Sequence, residues 1–537
     1  MTSSKKTLID KELEILRSAV DNAEKKAKRE TANSPEVSRI MQIVEDFFRK
    51  TKCICYGGTA INNILPVSEQ FYNRELEMPD YDFYSYTALE HAKELADLYV
   101  KLGYTEVEAK AGVHFGTYKV FVNFIPIADI TQMDKQLFNN IKRDAIFVNG
   151  ILYAPPDYLR MSMYLELSRP KGAISRWEKV QKRLVLLNKN YPLKSDTCSN
   201  KQIQRGFEKL GPNKRVESNI FTVVKESLIN QGVVFFGGYA NSLFSRYMPR
   251  RHRKSLAKIP DFDVLAEHPR TTATILKERL QYDNFTNVRI VRQKGVGDII
   301  APHYEIVVGG ETVVFIYKPL ACHSYNIIKI HGTPIKVATI DTMLSFYLAF
   351  IYAGRPYYDK HRILCMAQNL FKVQEKNRLE QHGLLKRFSI SCYGEQETLS
   401  TIREDKSLMY DKLKNKRHSR KYDLWFLKYR PAEKGSNTNN HTRRSNRKRH
   451  QKFTRKNNNK GMRKLIEKWG SNKMRKKHRR GVSEKNTRNK DSNKNTNKDN
   501  NKDNNKDNNK DSKSKQNLHS LFNTITSPYN NKNDYIF

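Results

Sequence analysis

The sequence contains no long apolar run. Among its 537 residues there is no stretch of 18 consecutive apolar residues, whereas a helix that spans a bilayer needs about 20. The N-terminal segment MTSSKKTLIDKELEILR also has no apolar core of the kind found in a secretory signal. We therefore expect neither a membrane segment nor a secretory signal.

Cysteine is also scarce. The chain has six cysteines and no Cys-x-x-Cys pair, so the spacing indicates neither a zinc site nor a disulfide framework. Cys53 and Cys55 alternate within an apolar run and are more typical of a buried strand than of metal ligands. We expect a reducing compartment.

Acidic residues are few near the end of the chain. Residues 431–537 contain 30 Lys and Arg against nine Asp and Glu, which is half of the total net charge of +42. With almost no hydrophobic periodicity, this segment is predicted to be a disordered basic low-complexity tail. The charge favours a polyanionic partner, most often nucleic acid, with an acidic membrane surface as the weaker alternative.

Two parts of this tail differ in how strongly they indicate binding to nucleic acid. The NKD repeats can equally reflect compositional drift in an AT-rich genome. The Arg-rich block 443–480 favours an arm that contacts RNA or DNA.

Hydrophobic periodicity divides the rest of the chain into alternating strands and helices. Helices are predicted over 36–50, 87–102, 156–168 and 340–373, and strands at CICY, 83–86 and 118–130. The hairpin HYEIVVGGETVVFIY belongs to a later unit. The fold class is therefore α/β (α+β), with mixed sheets flanked by helices. We predict a helical lead-in over residues 1–34, a first folded unit over 35–190 and a connector over 191–217. A second folded unit over 218–385 and a C-terminal extension over 386–430 follow.

The two folded units share landmarks in the same order. YGGTAIN precedes PDYDF in the first unit, and FGGYAN precedes PDFDV in the second. Gly57 lies 23 residues before Asp80, and Gly237 lies 24 residues before Asp261. NGILYAPPDYLRMSMYLELSRP also parallels HGTPIKVATIDTMLSFYLAFIYAGRP. A tandem duplication is the simplest explanation, and chance matching is the alternative.

The first unit carries residues suited to phosphoryl or nucleotidyl transfer, which depends on carboxylates that hold divalent metal ions. Asp80 and Asp82 are at i and i+2 of a strand, so both side chains leave the same face. Asp129 in FIPIADI is placed to supply a third carboxylate from a neighbouring strand. Mg²⁺ suits such an oxygen site. Singly, an Asp-x-Asp pair is more typical of a solvated strand face.

A glycine turn and basic residues complete the predicted site. Gly57 and Gly58 precede a helix, so that the backbone and the Thr59 hydroxyl can approach a triphosphate. Basic residues at i, i+3 and i+7 of a later helix could neutralise phosphates, although an ordinary basic helix surface is an equal alternative. For Tyr158 and Tyr164, core packing is favoured over stacking on a base. The three basic residues are Arg176, Lys179 and Arg183.

The order Gly57-Gly58-Thr59, Asp80-x-Asp82, Asp129 resembles the signature of the polymerase β-type nucleotidyltransferase superfamily. Several segments resemble the poly(A) polymerases of giant, mimivirus-type DNA viruses, which are relatives of the catalytic subunit of the poxvirus enzyme. These segments are YGGTAINNILP, PDYDFYS, IPIADIT and RWEKVQKRL. The resemblance covers roughly residues 35–375 and is specific in its first half. The segment between the glycines and Asp80 is longer than is usual in the superfamily, which suggests an insertion around 66–78.

The resemblance implies Mg²⁺- or Mn²⁺-dependent addition of AMP from ATP to the 3′ end of mRNA. It implies that Asp80, Asp82 and Asp129 bind the metals and that Gly58 and Thr59 lie at the triphosphate. It also implies a self-sufficient homodimer in the host cytoplasm or viral factory, with packaging in the virion as a further option.

The second unit is predicted to be a scaffold. It keeps Asp261 and Asp263, but Cys322 is expected in place of Asp129. Tyr239 stands where the first unit has Thr59, and its bulky ring is expected to crowd the glycine turn. A neutral thiol is a poor ligand for magnesium. For the whole chain, the alternatives are another nucleotidyltransferase of the same fold, either CCA-adding or protein-modifying, and a catalytically dead RNA-binding scaffold.

Overall fold

The computed structural model describes residues 7–73, 75, 78–193, 198, 205, 207, 214–254, 256 and 259–431. The predicted basic tail and most of the predicted connector lie outside these residues. No helix within the described ranges is long and apolar enough to cross a membrane.

The first half of the chain alternates helices and strands, as the periodicity predicts. Helix α2 begins after Ser34 with Pro at its first turn, a position where the missing amide costs no hydrogen bond. The elements are α1 Leu8–Ala32, α2 Pro35–Thr51, β1 Ile54–Tyr56, α3 Gly57–Ile64, β2 Asp82–Ser85, α4 Ala88–Lys101, β3 Val107–Ala111, β4 Thr117–Val122, β5 Ile125–Gln132, α5 Lys135–Arg143, β6 Ile146–Val148, β7 Ile151–Tyr153, α6 Pro156–Leu167 and α7 Trp177–Asn190.

The second half follows the same order of strands. The long helical region predicted over 340–373 is two helices, which are separated by a turn at Gly354 with a positive φ of 64°. The elements are α8 Lys214–Asn230, β8 Val234–Phe235, α9 Gly238–Leu243, α10 Arg250–Arg253, β9 Phe262–Leu265, α11 Pro269–Tyr282, β10 Val288–Gln293, β11 His303–Val308, β12 Glu311–Tyr317, β13 His323–Ile330, β14 Thr333–Ala338, α12 Ile340–Tyr352, α13 Lys360–Lys376, β15 Cys392–Tyr393, α14 Leu399–Leu413, α15 Arg420–Phe426 and β16 Lys428–Tyr429.

Each half contains an eight-stranded mixed sheet, and seven strands of each sheet have the same order. The first sheet runs β16-β3-β4-β5-β2-β1-β7-β6, and the second runs β10-β11-β12-β9-β8-β14-β13-β15. In both, the strand that carries Asp-x-Asp pairs in parallel with the last strand of the following meander. The predicted class of duplicated α/β units with mixed sheets is confirmed.

The prediction of one long strand over 118–130 is wrong. The segment is a hairpin of β4 and β5 that reverses at Asn123 and Phe124, both in the left-handed region with φ of 49° and 65°. Neither turn residue is glycine or proline, so the alternation of apolar residues gave no sign of the reversal. Asp129 therefore lies within β5 instead of after a strand.

Helices α6 and α12, which occupy equivalent places in the two halves, pack against each other and join the two sheets. The rings of Tyr158 and Tyr352 meet edge to face with centroids 5.5 Å apart. Tyr164 is fully buried and donates its hydroxyl to the Gln374 side chain at 3.2 Å. The expectation that Tyr158 and Tyr164 pack in the core is therefore confirmed.

The C-terminal extension returns to the first sheet. Strand β16 pairs antiparallel with β3 and forms the edge of that sheet. Before it, α15 is held by an ion pair of 2.6 Å between Lys93 and Asp423, and by contact of the Phe115 and Trp425 rings at 4.3 Å. Residues far along the chain thus cover the edge of the first sheet, which protects unpaired backbone groups.

The expectation of unpaired cysteines is wrong. Cys322 is disulfide-bonded to Cys392, and Cys198 to Cys365. The partners are 70 and 167 residues apart in sequence, so local spacing could not indicate either pair. Cys53 and Cys55 are free and buried, as predicted.

Ending the chain after Leu413 should destabilise the first sheet. The truncation removes α15 and β16, and with them the ladder to β3 and the contact with Phe115. We expect the melting temperature to fall by on the order of 5 °C, as measured by circular dichroism. A chain that ends after Pro431 keeps every one of these contacts and should melt like the full chain. Equal melting of both truncations would contradict a stabilising role for the extension.

Candidate active site

Two carboxylates of the first half are direct neighbours across strands. Asp82 is the first residue of β2 and stands opposite Asp129 in the parallel pairing of β2 with β5. Both side chains are buried, with 7% and 5% of their surface exposed. Asp80 precedes β2 by two residues and lies at the exposed rim. The three predicted carboxylates therefore share one region of the sheet.

The glycine turn packs directly on this region. Gly57 has a positive φ of 72°, and a Cβ atom there would lie 2.8 Å from Oδ2 of Asp82. The residue must be glycine to allow this approach. Thr59 is buried, and its hydroxyl donates to the backbone carbonyl of Asp80 at 2.6 Å. The turn at the start of α3 thus fixes the position of both acidic residues.

The electrostatics of the cluster follow from its burial. Burial raises the pKa of Asp82 well above that of an ordinary carboxyl, and the charges of Asp80 and Asp129 raise it further. Burial also raises the pKa of Asp129, an effect that Lys119 opposes. Although Asp80 reaches the surface, its surroundings remove enough water to raise its pKa, against the nearby positive charges of Lys119 and Lys179.

The predicted basic residues approach the same region. Arg183 is buried, and its guanidinium donates to the Tyr72 hydroxyl at 2.7 Å. A Cβ atom on Gly58 would lie 2.8 Å from Nη1 of Arg183, so this guanidinium is next to the glycine turn. Arg176 lies in the turn before α7, with Nε 3.4 Å from a carboxylate oxygen of the buried Glu166.

Lys179 is the exposed member of the three basic residues. A pocket lies between α3 and α7, and its walls include Gly57, Gly58, Glu166, Arg176 and Arg183. The structure therefore places the glycine turn and two of the basic side chains around one pocket. This is the arrangement expected of a site that binds phosphates.

The carboxylates fit a divalent cation. Oδ1 of Asp82 is buried without a hydrogen-bond partner, and desolvated carboxylates that repel one another are stabilised by a cation. Carboxylate oxygens are the ligands that Mg²⁺ prefers. Among the described residues, however, no three or more His, Cys, Asp or Glu side chains are grouped to hold a metal ion. Asp129 is instead paired with Lys119.

The second half keeps the frame but changes the chemistry. The parallel pairing of β9 with β12 places Phe315 opposite Asp263, where the first half has Asp129 opposite Asp82. The expectation that Cys322 replaces Asp129 is therefore wrong in its position, because Cys322 lies beyond β12 and is disulfide-bonded. The loss of the third carboxylate stands, since an aromatic ring has no oxygen to offer a metal.

Arg205 forms ion pairs with carboxylates of the second half. Its Nε lies 3.9 Å from Oδ2 of Asp261, and its Nη2 donates to Glu311 at 2.9 Å. The guanidinium also lies over the Phe315 ring, 5.3 Å from its centroid. A fixed organic cation thus neutralises this site.

Tyr239 does not crowd the glycine turn of the second half, contrary to expectation. It is buried, and its ring packs against Phe235 and Phe262 at 5.0 and 5.3 Å. The Tyr side chain is therefore a core residue.

Three residues of these sites were missed by reasoning from the sequence. Lys119 carried a weak signal, since it is the charged residue of the apolar run YKVFV and pairs with Asp129 only after the hairpin forms. Tyr72 lies in the segment predicted as an insertion, and its backbone amide donates to the Asn62 side chain at 2.9 Å. Arg205 approaches Asp261 from the predicted connector, and nothing in the sequence indicates that contact.

In the fold and the site together, a glycine turn at a helix start faces carboxylates on neighbouring strands of a mixed sheet. Residues 42–173 match the sequence profile of the poly(A) polymerase catalytic subunit. The matched segment lies within the first half of the chain. It contains the glycine turn and all three predicted carboxylates.

Two viral relatives are similar to part of the chain. A protein of African swine fever virus, provisionally named a poly(A) polymerase catalytic subunit, is 31% identical over 173 residues, which are 31% of this chain and 36% of the relative. One of Acanthamoeba polyphaga mimivirus with the same provisional name is 33% identical over 162 residues, or 29% of this chain and 27% of the relative. The chain thus matches about a third of the length of these relatives.

The fold is similar to a solved structure over a larger part of the chain. The crystal structure of the Megavirus polyadenylate synthase superposes with a TM-score of 0.67 and 21% sequence identity. The similarity covers 83% of this chain and 91% of that one. The arrangement of both halves is therefore shared with that protein.

Replacing Asp263 with Asn should change how stability depends on pH. Burial raises the pKa of Asp263 to about 6, against the opposing effects of the Gly238 amide and Arg205. An unfolded Asp titrates near 3.9, so the folded state holds this proton more tightly, and the resulting stability is lost as pH rises through about 6. We expect the variant to lose less stability than the wild type between about pH 5 and pH 7, as measured by urea unfolding.

The exposed Asp411 provides the control. An Asp411→Asn variant should keep the pH dependence of the wild type, because this side chain is mostly in water. If Asp263→Asn also keeps that dependence, burial of Asp263 does not affect its titration as described.

Proposed function

We propose that this protein is a template-independent poly(A) polymerase that adds AMP from ATP to the 3′ end of mRNA. The observation that carries the proposal is the family match over residues 42–173, because this segment contains the glycine turn packed on Asp82 and the Asp82–Asp129 strand pair. The whole activity is inferred, since the curated relatives match over only a third of their length.

The roles of the side chains follow from their positions. In the proposed reaction the 3′ hydroxyl of the RNA attacks the α-phosphate of ATP, a new phosphodiester bond forms, and pyrophosphate leaves. The backbone at Gly57 and Gly58 and the guanidinium of Arg183 line a small pocket at the start of α3, beside which the triphosphate would bind. Arg176 also lines this pocket, and the charge of Lys179 acts on the nearby Asp80, so both favour an anionic ligand.

Asp80, Asp82 and Asp129 would hold Mg²⁺ or Mn²⁺. Such ions neutralise the phosphates and activate the attacking hydroxyl. The buried, unpartnered Oδ1 of Asp82 supports this role, because a desolvated carboxylate oxygen needs a donor or a cation.

The charge of the chain supports RNA as the acceptor. The net charge is +42, and half of it lies in residues 431–537, which are outside the described residues. Such a surplus favours a long polyanion over the small or protein acceptors of related nucleotidyltransferases. The full set of three carboxylates in the first half also argues against a catalytically dead scaffold.

We further propose a homodimer that acts in the host cytoplasm or viral factory, with packaging in the virion as an option. Support for self-association comes from α1, which has no buried residue and exposes Leu13, Leu16 and Val20 on one face. Residues at this spacing can form the seam of a coiled coil. Light scattering measures the mass in solution, and a monomer at all concentrations would contradict the dimer.

Replacing both Asp80 and Asp82 with Ala should abolish nucleotide addition, while the same change at Asp261 and Asp263 should leave most of it. We expect a loss of roughly a thousandfold or more in the first variant, because it removes the residues that would hold the metal ions. The measurement is extension of a labelled RNA with Mg²⁺ and each nucleoside triphosphate supplied separately.

Melting curves of both variants provide the control for folding. Extension of the RNA when ATP is the only nucleotide supplied supports the proposed activity. Failure of the wild-type protein to extend the RNA with any of the nucleoside triphosphates contradicts it. An inactive but stably folded Asp261/Asp263 variant would show that the second half takes part in the chemistry.

A further inference from the structure

Lys119 forms an ion pair with one of the first site's carboxylates. It stands on β4 directly opposite Asp129 on β5, and its ammonium contacts Oδ2 of that carboxylate. Only 12% of the Lys119 side chain and 7% of the Asp129 side chain are exposed. The pair is therefore largely shielded from water, where a charge interaction is stronger than at the surface.

This pair leaves the three carboxylates in unequal situations. Asp129 has a cation, whereas Oδ1 of its neighbour Asp82 is buried without a partner. A divalent ion held by Asp82 and Asp129 together would share the Asp129 carboxylate that now receives the Lys119 ammonium, and the two positive charges would repel each other. The lysine and such an ion therefore compete for one carboxylate.

In the second half, a different cation lies beside the carboxylates. There, the residue on the strand opposite Phe315 is Glu305, in the place where the first half has Lys119. The cation is Arg205 instead, which contacts two carboxylates and lies over an aromatic ring. A planar guanidinium held at several points is difficult to displace, whereas a lysine ammonium is a point charge on a flexible stem.

We propose that Lys119 is an exchangeable counter-ion, a positioning residue that holds Asp129 before the divalent cation arrives and competes with that cation for it. The inference rests on the proposed function in one respect only, the binding of a divalent cation at these carboxylates. Lys119 lowers the affinity for the cation in exchange for a stable acidic cluster without it.

The test is a titration of the full chain with Mn²⁺, in which electron paramagnetic resonance measures the concentration of the free ion. Lys119→Gln should bind Mn²⁺ roughly tenfold more tightly than the wild type, since the competing ammonium is gone. Without Mn²⁺ the same variant should melt at a lower temperature, because the carboxylates lose their cation, and Mn²⁺ should raise its melting temperature more than that of the wild type.

Two variants separate the local effect from a general change in charge. Lys110→Gln removes a lysine from the adjacent strand β3, where it contacts Glu108 at 3.7 Å, and should bind Mn²⁺ as the wild type does. Lys119→Arg keeps the charge and should show no tightening. In an Asp129→Asn background, Lys119→Gln should give no gain, because the contested carboxylate is absent.

The outcomes are distinct. Unchanged or weaker Mn²⁺ binding by Lys119→Gln, or no Mn²⁺ binding by either protein, would overturn the inference. If Lys119→Gln does not fold, tightening by Lys119→Arg would overturn it. Nucleotide addition is not used in any of these measurements, so a wild type that binds Mn²⁺ but extends no RNA would contradict the proposed function alone.

Discussion

The close approach of a glycine turn to a buried carboxylate is the constraint on which the site depends. A Cβ atom on Gly57 would lie 2.8 Å from Oδ2 of Asp82, so β1, the start of α3 and β2 can be brought together only with glycine there. The same packing places Asp82 opposite Asp129. Two like charges buried side by side are unfavourable, and the surrounding residues must offset that repulsion.

The two halves offset the repulsion in different ways. In the first half, Lys119 pairs with one carboxylate and leaves an oxygen of the other without a partner. In the second half, Arg205 contacts Asp261, and an aromatic residue replaces the third carboxylate. The same order of seven strands therefore gives one carboxylate site paired with a lysine and one paired with an arginine. The difference lies in a few side chains and not in the fold.

The second half also contributes through its contacts with the first. Helices α6 and α12 share a buried aromatic interface at Tyr158 and Tyr352. Beyond the second sheet, the chain returns to add β16 to the edge of the first. The second half thus packs against the first through α12, and the segment that follows it adds a strand to the sheet that carries the site.

The sequence by itself determined the features that are local. Periodicity predicted the helices α2, α4 and α6, and the repeated order of Gly-Gly and Asp-x-Asp predicted two similar units with one scaffold. The types and order of Gly57, Asp80, Asp82 and Asp129 indicated nucleotidyl transfer, because carboxylates and a glycine turn are what that chemistry requires.

Only the tertiary structure decided which residues meet across strands. The reversal at Asn123 and Phe124 sets the register that pairs Lys119 with Asp129, and a single Asn within an apolar run is too weak a turn signal to place that register. Phe315 instead of Cys322 opposes Asp263 because strand register is set by pairing and packing, not by a count along the chain. Arg205 reaches Asp261 from more than fifty residues away. Such contacts are fixed by the packing of whole elements, for which a single sequence carries no local signal.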